Sequence, residues 1–244
     1  MKFDFAILNS YWPIILEGWA TTVVICAAAL PLAFVLGTAI AVMRHSRHAS
    51  LRGLATVYVE VIRNVPFMIQ IFILVYLLPA ADVRLPTPVV GAIGLAVFSS
   101  AYFVEIIRAA IRSVPGGQVE AARAVGMSRG QAMRRIVFPQ MRAFLIPPAT
   151  NQTISLLKES SILSTITVAE LTMTAHLIQS ATFRVFEVLV VIAVAYWGMS
   201  TSISLFAHSL ERRVQPRRRP SVPASSPDAP LVTVPRAPRR VDPP

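Results

Sequence analysis

Charge is scarce in this chain: 14% of its 244 residues are charged, 55% are hydrophobic, and the mean hydropathy is +0.61. A soluble domain of this length rarely carries so apolar a composition, so the chain reads as a membrane protein. Cysteine is almost absent. Cys26 stands alone inside an apolar run, which excludes an internal disulfide and a multi-cysteine metal site. Lysine occurs twice, at Lys2 and Lys158, and neither sits in a glycine-rich phosphate loop of the Gly-x4-Gly-Lys-Ser/Thr kind, so any ATP must bind another subunit. The four histidines are scattered, with His45 and His48 in a loop and His176 and His208 isolated. With no HExxH and no nucleophile elbow, nothing points to a membrane-anchored enzyme, a haem or a metal centre. The expectation is a chain with no catalytic residue, no metal site and no bound cofactor.

Long apolar runs are plentiful. Residues 18–43 carry no charge and, at 1.5 Å per residue, are long enough to cross a hydrocarbon core of about 30 Å. A cleavable signal has an apolar core of only about 7–15 residues after a basic start, whereas Asp4 and Glu17 precede this longer run, which favours retention. A second span is expected over 65–79, extended backward through Tyr58 and bent at Pro66, with Glu60 and Arg63 placed to pair one helical turn apart. A third runs over 88–104 and ends at Glu105 and Arg108. The fourth, 144–157, is more polar and holds Pro147, Pro148 and the Asn151-Gln152-Thr153 run. The last covers 188–210.

The stretch 160–183 decides the topology. Eighteen of the 23 basic residues fall into three groups: after the first span, between the third and fourth, and after the last. Cytoplasmic loops collect Lys and Arg, and five spans place all three groups on one side, with the amino terminus outside and the carboxyl terminus in the cytoplasm. Glu170 at mid-bilayer would cost roughly 2.5–3.5 kcal/mol, so 160–183 reads as a re-entrant or interfacial segment packed against protein. Residues 1–17 then form an extracytoplasmic segment. Residues 214–244, rich in Pro and Arg, form a disordered cytoplasmic tail whose Arg217-Arg218-Arg219 cluster suits anionic lipid headgroups. Despite the formal charge of +11, nothing here implies nucleic acid.

The arginine-rich loop at about 112–142 has internal grammar. Pro115-Gly116-Gly117 breaks the helix leaving the third span. A short helix follows over 118–125, with Glu120 and Arg123 spaced to pair, and Gly126 fits the left-handed stop that only glycine adopts without steric cost. Ser128 and Gln131 match a capping box for a second short helix from Arg129 to about Phe138, which Pro139 is expected to end. Two short helices at an angle make a rigid knob, the shape a membrane subunit needs to receive motion from a soluble motor.

Each of these residues alone is an ordinary helix stop; the combination is specific. Glu120-Ala121-Ala122, Gly126, Ile136 and Pro139, at this spacing, resemble the coupling motif of permease subunits of binding-protein-dependent ABC importers, with Phe138 where leucine is usual. The run Tyr58-Val59-Glu60-x2-Arg63-Asn64-Val65-Pro66, the run Leu157-Lys158-Glu159-Ser160-Ser161 and the run Phe183-Arg184-Val185-Phe186-Glu187 resemble motifs of the polar amino-acid uptake subfamily, of the histidine, glutamine and glutamate/aspartate type. The resemblance covers about 19–213. It implies an all-α integral membrane fold of about five transmembrane helices with a cytoplasmic two-helix coupling loop, the type I ABC importer permease fold, and a multi-pass protein of the prokaryotic inner membrane. It also implies a second permease copy or paralogue, two ATP-binding cassette subunits carrying ATP and Mg and docking on the coupling loop, an extracytoplasmic solute-binding protein, and a polar amino acid or related small zwitterion as cargo. Asn151, Gln152, Lys158 and Glu170 are the pathway candidates, because a desolvated zwitterion needs ionisable or amide partners. A secondary transporter or channel, and a permease for another solute, are the competing readings. The odd span count, the lack of an internal repeat and the coupling loop speak against the first of these.

Overall fold

The computed structural model describes residues 7–214, which are helical almost throughout. The helices are α1 (Ile7–Met43), α2 (Ala49–Asn64), α3 (Phe67–Ala80), α4 (Thr87–Arg112), α5 (Gly116–Ala124), α6 (Arg129–Ala132), α7 (Phe138–Glu159), α8 (Leu171–Thr182) and α9 (Val185–Val214). A π-helical turn, Met133–Val137, joins α6 to α7, and a 3-10 stretch, Ser160–Ile166, follows α7. The tail expected beyond 214 lies outside the described residues, as do residues 1–6.

α4 is the hub. Thirteen of its residues are buried, and α1, α2, α3 and α7 all pack on it. α1 lies closest, because Gly37 has no side chain: a Cβ there would stand 2.7 Å from the Cβ of Phe103. The core around this seam is Ala29, Ala33, Leu95, Phe103 and Val104, closed by Leu156 and Leu163 from the far end of the chain. A smaller cluster of Ile15, Leu171, Ala175, Ile178, Val188 and Ile192 joins α1, α8 and α9. Large apolar side chains such as Val24, Val35, Val42, Trp197 and Phe206 point outward on α1 and α9. So much outward apolar surface is what a hydrocarbon surround or a partner subunit covers.

Three helical stretches, Ser10–Met43, Thr87–Arg112 and Val185–Val214, are long and apolar enough to cross a membrane. Two bent pairs bring the possible crossings to five: α2 with α3 at 110°, and α6 through the 3-10 stretch with α8 at 50°. Among the described residues the first helix begins at Ile7, so residues 7–17 of the segment expected as extracytoplasmic are helical. The second crossing is bent where Pro66 was expected to bend it. Proline lacks the N–H that would bond Ile62, and the Gln70 side chain fills the gap, its Nε2 donating to Ile62 O at 2.8 Å and Val65 O at 2.7 Å.

Two local expectations fail. Glu60 and Arg63 form no ion pair; Arg63 instead lies over the Tyr102 ring, 5.4 Å from its centroid. Pro139 does not end the second short helix. The π turn before it widens the backbone, the Phe138 N–H donates to Met133 O five residues back, and the ring of Pro139 sits in the opening turn of α7, where a missing N–H costs little.

A two-helix knob as candidate functional site

The knob is built from bonds between near neighbours. Pro115 opens α5 after α4 stops at Arg112. At the far end of α5, Gly126 adopts φ +85° and donates to Arg123 O at 3.0 Å, while Met127 N–H donates to Ala122 O at 3.1 Å. Those two bonds are a Schellman closure, and glycine is the residue that takes the left-handed position freely. The capping box follows: Ser128 N–H donates to Gln131 Oε1 at 2.8 Å and Gln131 N–H to Ser128 Oγ at 3.2 Å. Beneath them a small core of Ala110, Val114, Val137 and Met141, with Val119 and Leu145 against it, fixes the knob to the ends of α4 and α7.

Glu120, Ala121 and Gly126 are exposed, Ile136 is half-buried, Pro139 is exposed, and Ala122 is buried. The motif therefore divides in two. Ala122 packs inward, where a methyl group fills the space, while Glu120 and Ala121 are presented outward. Glu120 makes no ion pair with Arg123 or with any other described residue. Val125 is 76% exposed, and Met133 and Phe138 are also outward. An apolar rim with one free carboxylate, held rigid on two helix ends, is a surface built to be covered.

The pathway candidates are not brought together. Asn151 and Lys158 are exposed on one face of α7, with Ser155 between them. Gln152 faces the core on the stripe of Leu145, Ala149 and Leu156, and its Nε2 has no partner. Glu170 is fully buried and acts as the N-cap of α8: Met173 N–H donates to Oε1 at 2.7 Å and the Tyr196 hydroxyl to Oε2 at 2.9 Å. Its carboxylate is held within the fold by these two bonds. Leu171 N–H also donates to Thr22 Oγ1, at 3.1 Å, tying α8 to α1. Sequence reasoning missed Thr22, Gln70 and Tyr196. Only Gln70 left a signal, as a lone amide in an apolar helix four residues after a proline.

An apolar groove of about 830 Å³ runs between α1, α7 and α9, lined by residues such as Trp19, Val23, Leu156, Val194 and Met199. It offers a polar solute almost nothing. At the opposite extreme, Glu105 on α4 takes Arg44, in the turn that follows α1, through a short contact, and Arg108 at 3.2 Å.

These helices define a membrane subunit of a multi-part transport machine: an apolar bundle with up to five crossings and a rigid surface knob. The chain belongs to the family of binding-protein-dependent transport system inner membrane components, whose model matches residues 29–216. It is 38% identical over 210 residues to the probable glutamine ABC transporter permease protein GlnM of Bacillus subtilis, covering 86% of this chain and 97% of that one. The L-cystine transport system permease protein TcyB of the same organism is 36% identical over 207 residues, covering 84% and 88%. The nopaline transport system permease protein NocM of Agrobacterium fabrum is 34% identical over 238 residues, covering 93% and 98%. Among solved structures, an amino acid ABC transporter matches with a TM-score of 0.82 at 37% identity, covering 87% of this chain and all of that one. The MetNI methionine ABC transporter, inward facing, shares the fold at a TM-score of 0.70 and 19% identity, covering 83% and 97%.

Proposed function

We propose that the chain is the permease of an ATP-driven importer that passes a polar amino acid from a binding protein into the cytoplasm. Relatives named for glutamine, cystine and nopaline transport support the cargo class. The observation that carries the mechanism is the knob: a face containing Glu120, Ala121 and Val125, outward and free, on a support made rigid by the Schellman closure and the capping box.

Two ATP-binding cassette subunits, holding ATP and Mg, dock on Glu120, Ala121, Ala122, Gly126, Ile136 and Pro139 of a pair of permeases, identical or paralogous. Their closure pushes the knobs, and α4 and α7, continuous with the knob at either end, carry the displacement into the membrane. The pair opens outward, accepts cargo from the extracytoplasmic binding protein, and resets inward after hydrolysis. The distribution of the arginine groups supports a cytoplasmic knob and carboxyl terminus and an outward amino terminus. Asn151 and Lys158, on the exposed face of α7, offer amide and ammonium groups to the zwitterion, while Gln152 faces the core with its Nε2 unpaired. This permease does no covalent chemistry of its own.

The test is uptake of a panel of radiolabelled amino acids by cells with and without the gene for this chain. Loss of uptake for one or a few polar amino acids, restored by the wild-type gene, is expected. Unchanged uptake of every amino acid, with loss of some other solute, overturns the cargo class.

A further inference from the structure

A polar pocket of about 320 Å³ lies among α1, α2 and α4, lined by Arg44, Val59, Glu60, Arg63, Asn64, Tyr102 and Glu105. Its size falls at the lower end of the range of about 300–1,000 Å³ found for small-molecule sites. Glu105 is seven residues before the end of α4, about 10 Å along the helix from Arg112 at 1.5 Å per residue. Charged side chains near the end of a spanning helix face protein, water or the interfacial region.

Within the pocket the charges are unequally committed. Glu105 is taken by Arg44 and Arg108, and Arg44 also donates to Thr56 Oγ1 at 3.3 Å. Glu60 and Arg63, by contrast, stand one turn apart on α2 and do not pair, although opposite charges at that spacing ordinarily can. Arg63 is drawn aside over Tyr102. The Glu60 carboxylate has no partner among the described residues, and the Arg63 guanidinium has only the ring. Asn64, which also lines the pocket, donates its amide nitrogen to Glu60 O at 2.7 Å. Glu60 and Arg63 are exposed, and a carboxylate and a guanidinium that line one small pocket without pairing match a molecule that carries an ammonium and a carboxylate on one carbon.

We infer that this pocket is a second, inner cargo site, in which Glu60 takes the ammonium and Arg63 the carboxylate of a zwitterionic amino acid on its way to the cytoplasm. The inference rests on the amino-acid reading above and places a station some distance from the α7 candidates. The apolar groove between α1, α7 and α9 supplies no such pair. Tyr102 positions Arg63 by offering its ring face while the site is empty.

The test is equilibrium binding of the radiolabelled amino acid identified by the uptake panel to the nucleotide-free permease–ATPase complex in lipid nanodiscs, without binding protein. Glu60→Gln and Arg63→Gln should each weaken binding about tenfold or more, the loss expected for one charge-assisted hydrogen bond, while subunit stoichiometry stays at the wild-type value. Should a variant fail to assemble, the unsubstituted complex decides: carbodiimide amidation of Glu60, mapped by peptide mass spectrometry, should slow in the presence of that amino acid and not of an untransported sugar. Wild-type affinity in both variants, or Glu60 labelling indifferent to the amino acid, overturns the site while leaving the amino-acid importer standing. Altered lipid retention or lost ATPase subunits with unchanged amino-acid affinity would assign the pair to lipid or to assembly, and would equally overturn it. Failure of the uptake panel to find any transported amino acid removes the reading on which the site rests.

Discussion

The turn after α5 and the turn after the 3-10 stretch close in the same way. Met127 N–H bonds Ala122 O and Gly126 N–H bonds Arg123 O; forty residues on, Val168 N–H bonds Leu163 O and Thr167 N–H bonds Ser164 O. The left-handed residue is Gly126 at φ +85° in the first and Thr167 at φ +61° in the second. Glycine takes that conformation freely, whereas a β-branched residue pays roughly 1–2 kcal/mol for it. The first turn is encoded by its own residue. The second is imposed by surroundings: Leu163 and Val168 are both fully buried, and the N-terminus of α8 is held by Glu170 and Thr22.

The same contrast separates the two regions as wholes. In the knob the defining bonds join residues three to five apart, and the structure matches the expected glycine stop and capping box residue for residue. In the 160–183 segment the defining bonds reach from Leu171 to Thr22 and from Glu170 to Tyr196. Sequence pattern saw that a carboxylate there resists a full crossing, and α8, twelve residues and about 18 Å long, is indeed too short to cross alone. It did not see that the carboxylate is a helix cap, because the partner hydroxyl lies 26 residues away. The pairings of Glu60 with Arg63 and of Glu120 with Arg123 were misjudged for a related reason. Spacing permits such pairs, but a neighbouring ring or a solvated surface decides them. Pro139 was misjudged because a π turn is set by packing on both sides and leaves no mark in composition.

Substitutions that exchange or remove these features test the contrast. The largest effect is expected from Gly126→Thr. Placing a β-branched residue at φ +85° should tilt α6 against α5, abolish uptake and lower retention of the ATPase subunits on purification, while membrane insertion, checked by carbonate extraction, stays intact. Next comes Glu170→Ala, which removes the α8 cap and leaves the half-buried Tyr196 hydroxyl with Thr172 Oγ1, at 3.0 Å, as its remaining partner. A loss of about 0.5–2 kcal/mol is expected for the lost cap, read as a lowered melting temperature with the ATPase subunits still bound. Ser128→Ala should cost about 1 kcal/mol, seen as faster amide hydrogen exchange confined to the first turn of α6. The smallest change is expected from Thr167→Gly. Strain relief is offset by the added freedom of glycine in the unfolded chain, so the melting temperature should hold or rise slightly. A marked fall would show that Thr167 holds the turn by side-chain contacts, and the contrast between the two turns would lose its basis.

The central claim is that this membrane chain moves cargo only when a separate ATPase drives its knob. The direct measurement is uptake of the identified amino acid into proteoliposomes carrying the permease, with its ATPase subunits and binding protein added or withheld and ATP enclosed or absent. Uptake only when all components and enclosed ATP are present is the predicted result. Transport by the permease alone, down a gradient and without ATP, would contradict it.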